Sequence, residues 1–195
     1  METLRTVAGV VFYVAIVLVF VRPRRRQWNF LTWRQRLAFR VGWSSLAKAS
    51  ATAAIVLLLL FALPVVNLAA ESAVGAPSVE PGSDNPVVML AGISPLVLLL
   101  AGGVVYPAAE EYIFRRCMID RMSARKGVLF AVLASSALFA VGHLFNTGWN
   151  PSGLAVPFVS GVLLAALYLK CGLFWAIAAH GGYNTVITLM WLGGV

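Results

Sequence analysis

Apolar stretches of membrane length alternate along this chain with short polar ones. Six such stretches stand at about 6–21, 49–70, 86–109, 127–145, 153–169 and 172–193. Crossing the hydrocarbon core as helix takes roughly 20 residues, and the first run lies at the short end of that range. No polar segment is long enough to build a soluble core of its own. The expected fold is all-α, a polytopic membrane helix bundle of about six transmembrane helices, with residues 1–195 forming a single membrane-embedded domain.

Charge adds an orientation to this pattern. Arg22 to Lys48 holds eight basic residues and no acidic one, which places it on the cytoplasmic side. The next connection, ESAVGAPSVEPGSDNP, has three acids and no base and belongs outside; it also reads as a flexible linker. Arg115 to Lys126, with five basic residues and one acid, returns to the cytoplasm. NTGWNPSG (146–153) is uncharged turn chemistry outside, and Lys170 marks a short inner turn. Both termini are then expected outside. Between Gln27 and Trp43, aromatics mix with arginines; an aromatic belt with positive-inside charge accounts for them more simply than an interfacial helix.

Composition agrees, with 61% of residues hydrophobic and only 11% charged. The net charge of +8 is concentrated in the cytoplasmic connections, so it signals topology, and no nucleic-acid partner is expected. Cys117 and Cys171 both fall on the reducing side, where no disulfide is expected. The first apolar run has its strongest charge after it, VRPRRR, the reverse of a signal peptide, so a retained span is expected.

Against this background, ionisable groups inside a span are costly and by default functional. The chain's two histidines, His143 and His180, both lie within expected spans, and Glu110 and Glu111, side by side in AAEEYIFRR, adjoin a span interior without lying in a loop. The midpoint between Glu110 and His143 is Lys126–Gly127, inside a basic turn, so in an antiparallel hairpin the two should face each other. At 1.5 Å per residue both stand about 20 Å from the tip, while the charged RRCMIDRMSARK is expected to project into the cytoplasm. His180 lies at a similar depth beyond the inner turn at Cys171–Gly172, and Asn184, four residues on, shares its helical face. Gly181 and Gly182 thin that helix. Gly102–Gly103 and Pro107 weaken the helix before the glutamates, and a break is expected there.

Each feature has a plainer explanation. Glu111 and Arg115, four apart, suit an interfacial helix-end ion pair; His143 suits a hydrogen bond to a carbonyl; His180 and Asn184 suit interhelical glue. Their coincidence at one depth favours a site. A carboxylate and an imidazole can share a water as general base, and a second imidazole with an amide can meet an oxyanion. Two histidines and a glutamate also suit a catalytic zinc, which stays open, although no cofactor is required.

The motifs carry a resemblance. EEYIFR (Glu110, Glu111, Arg115) resembles the E-E-x-x-x-R motif of the CPBP family, the CAAX-protease and bacteriocin-processing membrane proteins. FAVGH, Phe139 to His143, and HGGYN, His180 to Asn184, resemble its F-x-x-x-H and H-x-x-x-N. The likeness spans roughly 86–195, the expected catalytic core. It implies an intramembrane endopeptidase acting on a membrane-associated protein or peptide, with the prenylated CaaX type as one candidate substrate, by a glutamate-dependent mechanism. By that resemblance Glu110 and His143 activate water, His180 and Asn184 form the oxyanion hole, and Glu111 and Arg115 orient Glu110. The implied location is a prokaryotic cell membrane, with the site opening to the cytoplasm. Better-known prenyl proteases have about eight spans, so this chain is a compact member. Rival readings are a zinc-dependent version, a non-proteolytic interaction or immunity-type protein of the same fold, and a proton-coupled carrier, against which the lack of internal repeats counts.

Overall fold

A computed structural model of the chain describes residues 2–21, 43–73, 94–144 and 151–193. Among these every element is helical, and six continuous helices result. Helix α1 runs Glu2–Ile16 and continues with π pitch through Val17–Val21. Helix α2 is Trp43–Ala73 and passes through Pro64 without ending. Helix α3 spans Pro95–Lys126, and α4 is Val128–Leu144. Helix α5, Ala155–Cys171, follows a 3-10 turn at Pro151–Leu154, and α6 is Leu173–Leu192.

Five of the six expected spans correspond closely to these helices; the third differs. Its first residues, 86–93, lie outside the described residues, as do the aromatic–arginine segment up to Gly42, the linker from Val74, and residues 146–150 of the turn expected outside. More importantly, α3 does not stop near Ala109. It runs unbroken for 32 residues to the turn at Gly127. No break occurs at Pro107 either. The helix instead loosens into π pitch at Ala101–Val105 and again at Tyr112–Ile119. Nor does the charged segment simply project outward, since Arg115, Met118 and Ile119 are fully buried among neighbouring helices.

Two glycines make the tight reversals that the sequence placed. Gly127 (φ 84°) ends α3 and Gly172 (φ 97°) ends α5, each in a backbone conformation that L side chains rarely adopt. The turns are tied together on one side of the bundle, because Tyr168 Oη donates to Asp120 Oδ1 at 2.7 Å.

Packing centres on α3, α4, α5 and α6. Ala53, Val56 and Leu60 of α2 pack on Leu164, Leu167 and Ala179 of α5 and α6. On the opposite flank, Ile16 of α1 packs on Phe114 and Met118 of α3 and Phe139 of α4. The outer surface is the apolar one: Leu58 is 70% exposed and Leu129 73%, while Glu111 and Arg115 are wholly covered. An exterior of Leu and Val around a charged interior suits lipid as solvent, where polar groups must be satisfied internally. Two helices, Leu46–Ala73 and Pro95–Lys126, are by length and hydropathy sufficient to cross a bilayer on their own.

Candidate functional site

The site is built where α3 passes from regular pitch at Tyr106–Glu111 into π pitch at Tyr112–Ile119, and on the faces of α4 and α6 that meet it. Arg115 and Glu111 stand one turn apart on α3 and form a fork: Nε donates to Oε2 at 2.9 Å and one terminal nitrogen to Oε1 at 3.4 Å. The guanidinium's other terminal nitrogen donates to Ser135 Oγ on α4 at 3.3 Å, and Ser135 in turn donates to the Phe114 carbonyl at 2.6 Å. The guanidinium carbon also stands 4.9 Å from the centre of the Phe139 ring. The expected i, i+4 pair therefore forms, but it is fully buried at the centre of the bundle and does not lie at an interface. A buried charge pair of this kind is tolerable only because every partner is satisfied.

Glu111 has a second duty. Its Oε1 lies 3.0 Å from His180 Nδ1. An ionised carboxylate can only accept, so Nδ1 carries the hydrogen and donates it. This fixes the imidazole's orientation and directs Nε2 toward Glu110, whose Oε2 is 3.7 Å away. One imidazole thus spans the two adjacent carboxylates. Glu110 stands close to His180, which comes from α6.

His143 hydrogen-bonds within its own helix, with Nδ1 2.8 Å from the Phe139 carbonyl. Because a carbonyl only accepts, Nδ1 is protonated and, in the neutral ring, Nε2 holds the lone pair. Phe139 joins the two histidines: its ring centre is 4.5 Å from that of His143 and 5.8 Å from that of His180. The F-x-x-x-H spacing places its phenyl ring against the guanidinium and both imidazoles.

Asn184 is positioned by a defect in α3. Tyr106 N–H reaches back in π register to the Ala101 carbonyl, and Pro107 has no N–H to offer. The Gly102 carbonyl, left without either helical donor, accepts from Asn184 Nδ2 at 3.1 Å. Close approach makes this possible. A Cβ at Gly103 would collide with Thr185 Oγ1, and one at Gly181 would collide with the Gly103 carbonyl oxygen. Gly182, by contrast, faces open space. So Gly181, Gly103 and Pro107 are the small-surface contact between α3 and α6, while Gly182 is not part of it.

The residues singled out from the sequence converge: Glu110, Glu111, Arg115, Phe139, His143 and His180 form one chain of contacts, with Asn184 one turn beyond His180. Sequence reasoning missed Ser135, which reads as an ordinary small residue in an apolar helix, and Tyr13. Tyr13 Oη lies 3.4 Å from Glu110 Oε1. A signal for Tyr13 existed, because it sits in the middle of the 6–21 run and tyrosines of membrane helices gather at the interfaces. Among the described residues, no group of three His, Cys, Asp or Glu side chains is placed to share a metal ion. Both Nδ1 atoms are engaged with protein acceptors, so Nε2 is the atom of each ring that would meet a water, a substrate or a metal.

Fold and site together define an integral membrane helix bundle with a buried Glu–Arg–His constellation. Residues 92–186 match the family model described as type II CAAX prenyl endopeptidase Rce1-like. This match supports membership of the chain in the CPBP family. No match was found among curated proteins or solved structures. The matched segment contains every motif residue and leaves out α1 and α2.

Proposed function

We propose that this protein is an intramembrane endopeptidase that cleaves a membrane-associated protein of the prenylated CaaX type, using a water activated by a carboxylate. The observation that carries the reading is His180 bridging the two glutamates, with Nδ1 anchored by Glu111 at 3.0 Å and Nε2 turned to Glu110 at 3.7 Å. A buried imidazole oriented by one carboxylate beside a second carboxylate is more than helix packing requires.

In the reaction, water is held by Glu110 and by the lone pair on His143 Nε2. Glu110 takes a proton as the water oxygen bonds to the scissile carbonyl carbon. The oxyanion so formed is met by His180 Nε2, in the form protonated at both nitrogens, and by an amide hydrogen of Asn184. The carbon–nitrogen bond then breaks. The departing amine takes the proton from Glu110, which regenerates the carboxylate and leaves a new carboxyl terminus on the substrate. No step passes through a metal.

The site opens on the side of the Gly127 and Gly172 turns, which carries Arg125, Lys126 and Lys170. His180 is eight residues past Gly172, or about 12 Å deep, within reach of a lipidated peptide lying in that leaflet.

The test is cleavage of a fluorogenic farnesylated CaaX peptide by the purified protein in lipid nanodiscs. Wild type is expected to cleave it, and Glu110→Gln is expected to be inactive. Activity should survive stringent chelation. Cleavage by Glu110→Gln at the wild-type rate would reject the mechanism, and loss on chelation with rescue by zinc would replace it with a metal one.

A further inference from the structure

The two oxygens of Glu110 have different neighbours. Oε2 faces His180, whereas Oε1 accepts from Tyr13 Oη at 3.4 Å. Tyr13 comes from α1, which lies outside the residues 92–186 that match the family. A contact from a separate helix onto the carboxylate at the centre of the site has no explanation in the family motifs.

Several interactions fix the tyrosine. Its ring meets Phe114 of α3 edge-on, with centroids 6.4 Å apart and planes at 81°. A Cβ at Gly142 would stand 2.8 Å from its hydroxyl and 3.3 Å from Cζ, so the phenol can lie on α4 only because Gly142 has no side chain. Gly142 immediately precedes His143. One turn on, Ile16 packs with Phe114, Met118 and Phe139, and Arg121 of α3 donates to the Val19 carbonyl farther along α1. Helix α1 is thereby registered on α3 at three successive levels.

The terminal torsion of a glutamate is broad, so an unconstrained carboxylate exchanges its two oxygens freely. A donor held on one oxygen removes that freedom and commits the other to its task. A phenol within the apolar depth of a membrane helix also needs an acceptor, and here it finds the strongest one available. At 3.4 Å the bond is longer than the usual O–H···O distance of about 2.7–2.8 Å. Catalytic hydrogen bonds are commonly loose before substrate arrives and tighten in the complex.

We infer that Tyr13 is a positioning residue for Glu110, supplied by α1, whose hydroxyl holds Oε1 so that Oε2 is presented beside His180. Its effect on turnover rests on the reading of Glu110 as base; the hydrogen bond itself does not. Tyr13 touches no reacting atom and acts only through the carboxylate.

Two measurements test this. Infrared difference spectra of Tyr13→Phe against wild type, in nanodiscs, should show a shifted carboxylate stretch. The same subtraction made in a Glu110→Gln background should lack it. No shift, or a shift that persists without Glu110, overturns the inference. With the farnesylated peptide, Tyr13→Phe should lower kcat about tenfold at nearly unchanged KM, as expected for losing a hydrogen bond to a charged group. Gly142→Ala, which crowds the phenol, should give a similar fall, and the double variant should fall no further than either single one. Full kcat in Tyr13→Phe, or additive losses in the double variant, would count against positioning. If wild type cleaves nothing, the endopeptidase reading fails, while the spectra still decide whether Tyr13 holds Glu110.

Discussion

Glu111 accepts the Nδ1 hydrogen of His180 at 3.0 Å, so the second glutamate of the pair, not the first, sets which face of the imidazole the site receives. Adjacent residues on a helix point about 100° apart, and here both reach the same ring from different sides. Glu111 belongs to the buried framework with Arg115 and Ser135. Glu110, 19% exposed, is left at the partly open edge of that framework.

That division predicts two different failures from the same chemical change. Glu110→Gln removes a base and should abolish cleavage, a loss of about 10²–10⁴-fold or more, while unfolding temperature stays near wild type. Glu111→Gln leaves Arg115 buried without its counter-charge. It should cost about 3–5 kcal/mol, lowering both the yield of folded protein and its unfolding temperature. Thermal unfolding in detergent alongside peptide cleavage separates the two, and equal unfolding temperatures would contradict the assignment.

Arg115→Lys should behave as a partial loss. One ammonium cannot hold both Glu111 oxygens and Ser135 Oγ, nor cover the Phe139 ring as a planar guanidinium does. The expected outcome is folded protein that is less stable by about 1–3 kcal/mol, through the Ser135 and Phe139 contacts left unfilled. Ser135→Ala should show a smaller loss in the same unfolding assay, and a loss larger than that of Arg115→Lys would place the weight of the network elsewhere.

Much of this was legible in the sequence, for stated reasons. Hydropathy marked the helices because lipid permits no exposed backbone. Glycines at 127 and 172 marked the turns after α3 and α5 because both adopt positive φ. The site residues could be picked out because ionisable groups are so rare in spans. What the sequence did not carry was rotation and pitch. The hairpin count gave heights; it had no means to show that His180 comes from α6 between the two carboxylates. The π-helical stretches also escaped it, since Gly102, Gly103 and Pro107 suggested a break when the helix could relax and take Asn184 as a substitute donor. Charge in RRCMIDRMSARK suggested projection into water, yet Arg115 is buried because Glu111 and Ser135 satisfy it.

The role of Pro107 follows from that substitution. Pro107→Ala restores an N–H at a position where the Gly102 or Gly103 carbonyl can take it. α3 is then free to regain regular pitch, and Asn184 loses its anchor on Gly102. The variant should fold well but cleave the peptide more slowly, by about tenfold if the Asn184 amide is misdirected from the oxyanion. A similar drop in Asn184→Ala, and no further drop when the two changes are combined, would trace the defect to one shared contact.

The paired glycines of α6 provide the sharpest contrast, because one is a contact and its neighbour is not. A methyl at Gly181 would run into the Gly103 carbonyl oxygen, a backbone atom that cannot move unless α3 and α6 separate. Such overpacking costs about 1–3 kcal/mol, and separation also pulls His180 away from Glu111. Gly181→Ala is therefore expected to lose stability and activity together. A methyl at Gly182 meets nothing within 4 Å. Removing a mid-helix glycine there should stabilise α6 by up to about 1 kcal/mol. Gly182→Ala thus leaves the unfolding temperature unchanged or raised, and cleavage by that variant reports only whether substrate uses the open space beside it. A loss of stability in Gly182→Ala matching that in Gly181→Ala would mean that the two helices cross with a different rotation from the one described.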